Sequence, residues 1–273
     1  MRSDTPLTYL VVPGNRPERF AKAVDSGADR VILDLEDAVA PENKAAARSA
    51  IAGWMQVNSQ YASKVLIRIN DVTATWHADD LALVSAIQPK CVMLPKCETA
   101  HQVAAVLRCL PDDARVLPLI ETARGLVAVY DIAAAAGVAR LAFGSLDYMV
   151  DLAIESGGMA LDFAAAQIAV ASRAAGLASP VAGVTPDRDA ARVSVDMLHA
   201  KSLGFGAKMC IHPSQLAAVR AALAPSVAEL AWAQRVLQAW AASGGGAIQL
   251  DGKMVDRPVA LKAERIIFLA SQK

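Results

Sequence analysis

The 273-residue sequence lacks a net charge of either sign: Lys and Arg total 27, and so do Asp and Glu. A neutral chain has no overall basic field to gather nucleic acid, so any polyanionic ligand has to be met by a local patch. The four cysteines, Cys91, Cys97, Cys109 and Cys210, form no CxxC pair and have no histidines at zinc spacing. That excludes a disulfide framework and a structural zinc site and leaves reduced, packed thiols. Long apolar runs are missing as well. The opening MRSDTPLTYLVVPG stops at Pro-Gly too early for a secretory core and far short of a membrane span. A soluble cytoplasmic protein with neither nucleic-acid nor membrane partners is the expectation. Charged residues are only 20% of the chain against 55% hydrophobic, which excludes general disorder and allows a large core.

What is present is a repeat of strand and helix. TYLVVPG, RVILDLED, KVLIRIN, CVMLPK, RVLPLIE, RLAFGSLD, PVAGVTPD and GAKMCIHP read as apolar strands, separated by segments of helical composition such as ENKAAARSAIAGWM and DFAAAQIAVASRAAG. Near-continuous apolar strands with helical crossovers imply a parallel sheet covered on both faces, and eight units favour closure into a (β/α)8 TIM barrel. An open doubly wound sheet usually carries a Gly-rich loop after its first strand, and VVPGNRPERF has one glycine there. SVAELAWAQRVLQAWAAS, GGGA and DGKMVDRPVALKAERIIFLAS then form a C-terminal helical extension. The barrel is assigned to residues 1–224. The extension, 225–273, caps its own barrel or reaches a neighbouring subunit.

Each strand ends in polar residues: Asp34, Glu36 and Asp37; Arg68 and Asn70; Lys96; Glu121; Ser145 and Asp147; Thr185; His212. In a barrel these ends share one rim, where the active site sits. Strand alternation turns Asp34 and Glu36 the same way, and likewise Arg68 with Asn70 and Ser145 with Asp147. The competing reading is that such residues cap helices or form loop salt bridges, and for Thr99, Thr122 and Asp37 it is the better one. Glu121 and Asp147 are placed at the ends of neighbouring strands five and six. Without nearby His or Cys, the pair suits Mg2+, a hard ion needing few protein carboxylates, or else a proton-sharing general acid and base.

The ordered set YLVVPGNRPERF, DLEDAVAPENKAAAR, IRIN, LPK, IETARG, FGSLDY and KMCIHPSQ resembles the citrate lyase beta subunit-like family within the HpcH/HpaI aldolase group. The resemblance covers nearly the whole chain. It implies an oligomeric, often trimeric, barrel that uses Mg2+ to break a carbon–carbon bond in a 3-hydroxyacyl-CoA thioester. By motif, Glu121 and Asp147 would ligate Mg2+, Arg68 would bind the oxo-acid portion, and Glu36 and Asp37 would orient waters around the ion. Asp34 would anchor the rim. Asp256 of GKMVDRP would reach an adjacent subunit as acid or base, although an Asp before Arg-Pro also reads as a helix N-cap. One departure is Leu7, where relatives often carry arginine.

Arg16, Arg19 and Lys22 after the first strand supply a basic patch for CoA phosphates, with Arg16 and Lys22 matching the family motif better and Lys44 and Lys96 as further candidates. His212 is either a CoA contact or a structural histidine, and His77, His101 and His199 fall in helical segments. The expected reaction is retro-aldol cleavage of a citramalyl-, malyl- or citryl-CoA type substrate to acetyl-CoA and an α-keto acid. The rivals are a metal-dependent aldolase on free pyruvate-type substrates and a CoA-binding subunit of a larger complex.

Overall fold

The computed structural model describes residues 5–155, 157–244 and 246–271. Eight parallel strands close in chain order: β1 Thr8–Pro13, β2 Arg30–Asp34, β3 Val65–Arg68, β4 Cys91–Leu94, β5 Arg115–Ile120, β6 Ala142–Phe143, β7 Val181–Ala182 and β8 Ala207–Cys210. The fold is a (β/α)8 TIM barrel. Around it run α1 Phe20–Val24, α2 Lys44–Val57, α3 His77–Ile87, α4 Ala100–Leu107, α5 Ala123–Val127, α6 Val129–Ala134, α7 Ser145–Asp151, α8 Met159–Ala174, α9 Ala190–Ser202 and α10 Leu216–Leu223.

The strands are apolar on both faces because both are covered. Alternate residues, among them Tyr9, Ile32, Leu66, Met93, Leu117 and Met209, fill the lumen as one cluster. Val31 and Leu33, of the opposite parity on β2, are equally buried on the outer face. Helices start where side chains can meet their free amides: Thr99 forms a capping box with Gln102 on α4, and Thr122 accepts from the Gly125 amide on α5. The wall is uneven. β1 and β2 match over five residue pairs, whereas β6 and β7 match at Ala142↔Val181 alone.

The chain divides into two compact units, Pro6–Arg220 and a smaller one that starts at Ala221 and takes in Thr5. The smaller unit contains α11 Val227–Ala242, a hairpin of β9 Ile248–Leu250 and β10 Lys253–Val255, and α12 Arg257–Ala270. Ala233, Val236, Val255, Ala263 and Ile266 form its core. One helical stretch, Pro213–Ala242, meets the length and hydropathy of a membrane span. It is interrupted at 224–226, where Ser226 starts α11 with a capping box to Glu229.

Candidate active site

At the C-terminal rim, Asp34 ends β2 opposite Arg68, which ends β3. Both follow lumen-facing residues by two, so both point inward. Arg68 grips Asp34 with Nε and Nη2, each 2.6 Å from a carboxylate oxygen, and its Nη1 lies 3.0 Å from Glu36 Oε2 and 3.7 Å from Asp37 Oδ2. Asp34 also accepts from the amides of Glu36 and Ala38, turning the chain sharply after the strand. Burial opposes the Asp34 charge, but Arg68 and these amides outweigh it and hold the carboxyl below the usual range. Against its own burial, Arg68 is raised by Asp34 and then by the charges of Glu36 and Asp37.

Glu36 behaves differently. It is buried, and burial together with the Asp37 charge outweighs Arg68 and Lys96, pushing its pKa up to about 7. Its Oε1 accepts from Lys96 Nζ at 2.9 Å, and its buried Oε2 faces Arg68 Nη1 at 3.0 Å. Lys96 reaches two strands at once. Its backbone, in the left-handed region at φ 45°, donates the amide to Glu121 Oε1 at 2.8 Å. Glu121, just past β5, is raised well above the ordinary carboxylate value by burial first and then by the charges of Glu36 and Asp147. Gly144 makes room for it: a Cβ there would stand 2.2 Å from Glu121 Oε2.

Glu36, Glu121 and Asp147 thus share a mouth whose cations, Arg68 and Lys96, are already paired. Such crowding is relieved by a proton or by a cation. Among the described residues no group of three or more His, Cys, Asp or Glu side chains forms a ready metal cage. A hard ion that takes one or two protein carboxylates and fills its shell with water and substrate needs none. Glu121, raised by burial and by the charges of Glu36 and Asp147, suits that kind of ion.

The sequence matches the family model described as HpcH/HpaI aldolase/citrate lyase over residues 7–213, which spans the barrel and this rim. The chain belongs to that family. Within the HpcH/HpaI group it falls among the citrate lyase beta subunit-like proteins, and it is a lyase-type enzyme. It is 38% identical to a citrate lyase subunit beta-like protein of Mycobacterium tuberculosis, over 97% of this chain and 95% of that one. It is 30% identical to a (3S)-malyl-CoA thioesterase of Cereibacter sphaeroides, with 95% of each chain covered. The crystal structure of CitE from M. tuberculosis with magnesium, acetoacetate and coenzyme A superposes with a TM-score of 0.88 at 36% identity, covering 99% of this chain and all of that one.

Measured against this HpcH/HpaI barrel, several expectations change. β6 is two residues long, so Ser145 and Asp147 lie in the first turn of α7 rather than on a strand, and residues two apart on a helix do not share a face. Asn70 does not line the lumen beside Arg68. It bonds Asp80 and Leu35 and accepts from Lys44 in a buried network under the β3 loop. Lys44 is no phosphate ligand, because its ammonium donates to Leu35 O, Glu36 O and Asn70 Oδ1 at 2.6 to 2.8 Å. Lys96 likewise is tied to Glu36. Asp37 caps no helix and stays exposed beside Arg68.

Arg16 and Lys22 are exposed after β1, and Arg16 pairs with Glu18 at 2.6 Å. His212 caps a short 3-10 turn, its Nδ1 accepting from the Ser214 amide at 3.2 Å. Asp256 belongs to the smaller unit and caps α12, accepting from the Val259 amide at 3.3 Å. A cavity of about 220 Å3 opens beside Glu36 and Lys96, walled by Asn70, Asp71 and Trp76. A larger concavity of about 600 Å3 lies outside the barrel between α8 and α9, lined by alanines, Val170 and Leu203 together with Arg173 and Ser202.

Proposed function

We propose that this chain is a Mg2+-dependent lyase that cleaves a 3-hydroxydicarboxyl-CoA, of the citramalyl-, malyl- or citryl-CoA type, to acetyl-CoA and an α-keto acid. The observation that carries the proposal is the crowding of Glu121, Asp147 and Glu36 around a rim whose cations are otherwise engaged. Glu121 and Asp147 would hold the ion, while Glu36 and Asp37 would orient waters at its edge. When bound, Mg2+ supplies Lewis-acid stabilisation of the oxygen on which the carbonyl forms. Binding of magnesium and coenzyme A by the M. tuberculosis CitE supports both partners.

Arg68 is fixed in place by Asp34 and keeps further N–H donors for the carboxylate of the oxo-acid portion or the thioester oxygen. Lys96 sets the facing edges of Glu36 and Glu121. Arg16 and Lys22, exposed beyond β1, would meet CoA phosphates. Asp256 would exchange the proton at the acetyl carbon, brought to the rim by a neighbouring subunit of a homotrimer. The four thiols are free, in keeping with a reducing cytoplasm.

The decisive assay offers a panel of these thioesters to the wild type and to Asp147→Asn, with Mg2+ or with EDTA. Turnover is expected only for the wild type with Mg2+. Equal turnover in EDTA, or full activity of Asp147→Asn, would overturn the metal assignment. The likeness to a malyl-CoA thioesterase favours hydrolysis as the second reading. Release of CoA without acetyl-CoA would establish it.

A further inference from the structure

The N-terminal end of the barrel carries a charge imbalance that the chemistry at the other rim does not use. Residues two apart on a strand share a face. Arg30 precedes lumen-facing Ile32 on β2 and Arg115 precedes Leu117 on β5, while Arg140, in the segment before β6, lies over the ring of lumen-facing Tyr9. Register sets Arg30 beside Tyr9 and Arg115 beside Cys91. Three arginines therefore belong to this end of the barrel.

Their acceptors are few. No described carboxylate forms an ion pair within 4.0 Å of any of the three, and the neighbouring acids Asp29 and Asp113 are held by Arg220 and Lys90 at 2.7 and 2.6 Å. Arg30 and Arg115 each use Nη1 on carbonyls of their own loops, at 3.0 Å to Asp29 O and 2.8 Å to Ala114 O. Arg140 is 3% exposed. It donates to Pro6 O at 2.6 Å and to Ser179 O and meets the Tyr9 hydroxyl, with no described carboxylate as a counter-charge. Tyr9, which packs against Arg140, and Cys91 add no negative charge, since burial raises both pKa values, that of Cys91 to about 12.

A buried cation without a counter-charge is costly, and an anion at its open side offsets that cost. We propose that the N-terminal mouth of the barrel binds a small tetrahedral oxyanion, phosphate or sulfate, between Arg30 and Arg115 and against the buried charge of Arg140. Arg30 is half-buried and Arg115 exposed, so the anion can enter from solvent. Their Nε and Nη2 atoms have no protein acceptor among the described residues, and paired guanidinium donors match two oxygens of such an ion. Chloride offers no such match.

The test titrates the metal-free, full-length protein with phosphate, sulfate or chloride at matched ionic strength, reading calorimetric heat and melting temperature. Phosphate and sulfate are expected to give saturable binding in the low-millimolar range and chloride none. Arg115→Gln and Arg30→Gln should each weaken it by about tenfold. A control changed elsewhere, Arg192→Gln at the start of α9, should bind like the wild type. Should Arg30→Gln fail to fold, exposed Arg115 decides the matter alone. Unchanged binding in Arg115→Gln, equal effects of all three salts as in general salting, or an equal loss in Arg192→Gln would each overturn the proposal.

Discussion

Glu36 is a carboxyl kept near half-ionised at neutral pH by its surroundings, and this has a measurable consequence. With a folded pKa of about 7 against an ordinary 4.5, the native state holds a proton that the unfolded chain has released. Stability from this group is full below the ordinary value and is lost as pH rises through about 7. In EDTA, urea midpoints should therefore fall between about pH 5 and about pH 8, and Glu36→Gln should flatten that slope. Saturating Mg2+ should also reduce it, since the bound ion favours the ionised carboxyl. A slope identical in Glu36→Gln would assign the titration elsewhere. Lys96 invites a second experiment at this scale. A β-branched residue tolerates its left-handed backbone poorly, so Lys96→Val should be less stable than Lys96→Gly by roughly 1–2 kcal/mol in urea unfolding. Arg68→Lys keeps the charge but not the two-pronged grip on Asp34, and a loss in kcat/KM on the order of a hundredfold is expected.

Among elements, β6 decides the geometry of the rim. It is two residues long and gives way at Gly144 to α7, which carries Asp147. Gly144→Ala would drive a methyl group against the Glu121 carboxylate. Its expected signature is a large fall in Mg2+ affinity by calorimetry, exceeding any fall in melting temperature. The eight-unit barrel was legible in the sequence because runs such as RVILD and RVLPLI leave no polar face for water. The place of Glu121 at the rim was legible because it directly follows an apolar strand. The position of Asp147 on a helix was not, since a strand that stops early looks the same as one that continues. Nor does any sequence mark tell that a lysine adopts the left-handed conformation, or that Lys44 turns its ammonium inward onto carbonyls.

For the whole molecule, the proposed trimer makes a prediction that one polypeptide cannot satisfy alone. Asp147→Asn and Asp256→Ala should each be inactive, yet mixing them under exchanging conditions should restore part of the activity, because some sites would combine an intact metal pair with an intact acid. Normal turnover by Asp256→Ala would return that residue to its visible task, capping α12.

The unevenness of the barrel wall bears on how the molecule breathes. β1 to β5 are joined by registers of two to five residue pairs and carry Asp34 and Arg68, whereas β6 and β7 meet at one pair. The wall therefore has a seam, and local opening follows the least-bonded boundary. Amides of 141–144 and 181–184 should exchange with deuterium well before those of β2 and β3. One arc of the mouth would then act as a fixed anvil for charge, and the other as a compliant cheek that yields to substrates of differing girth.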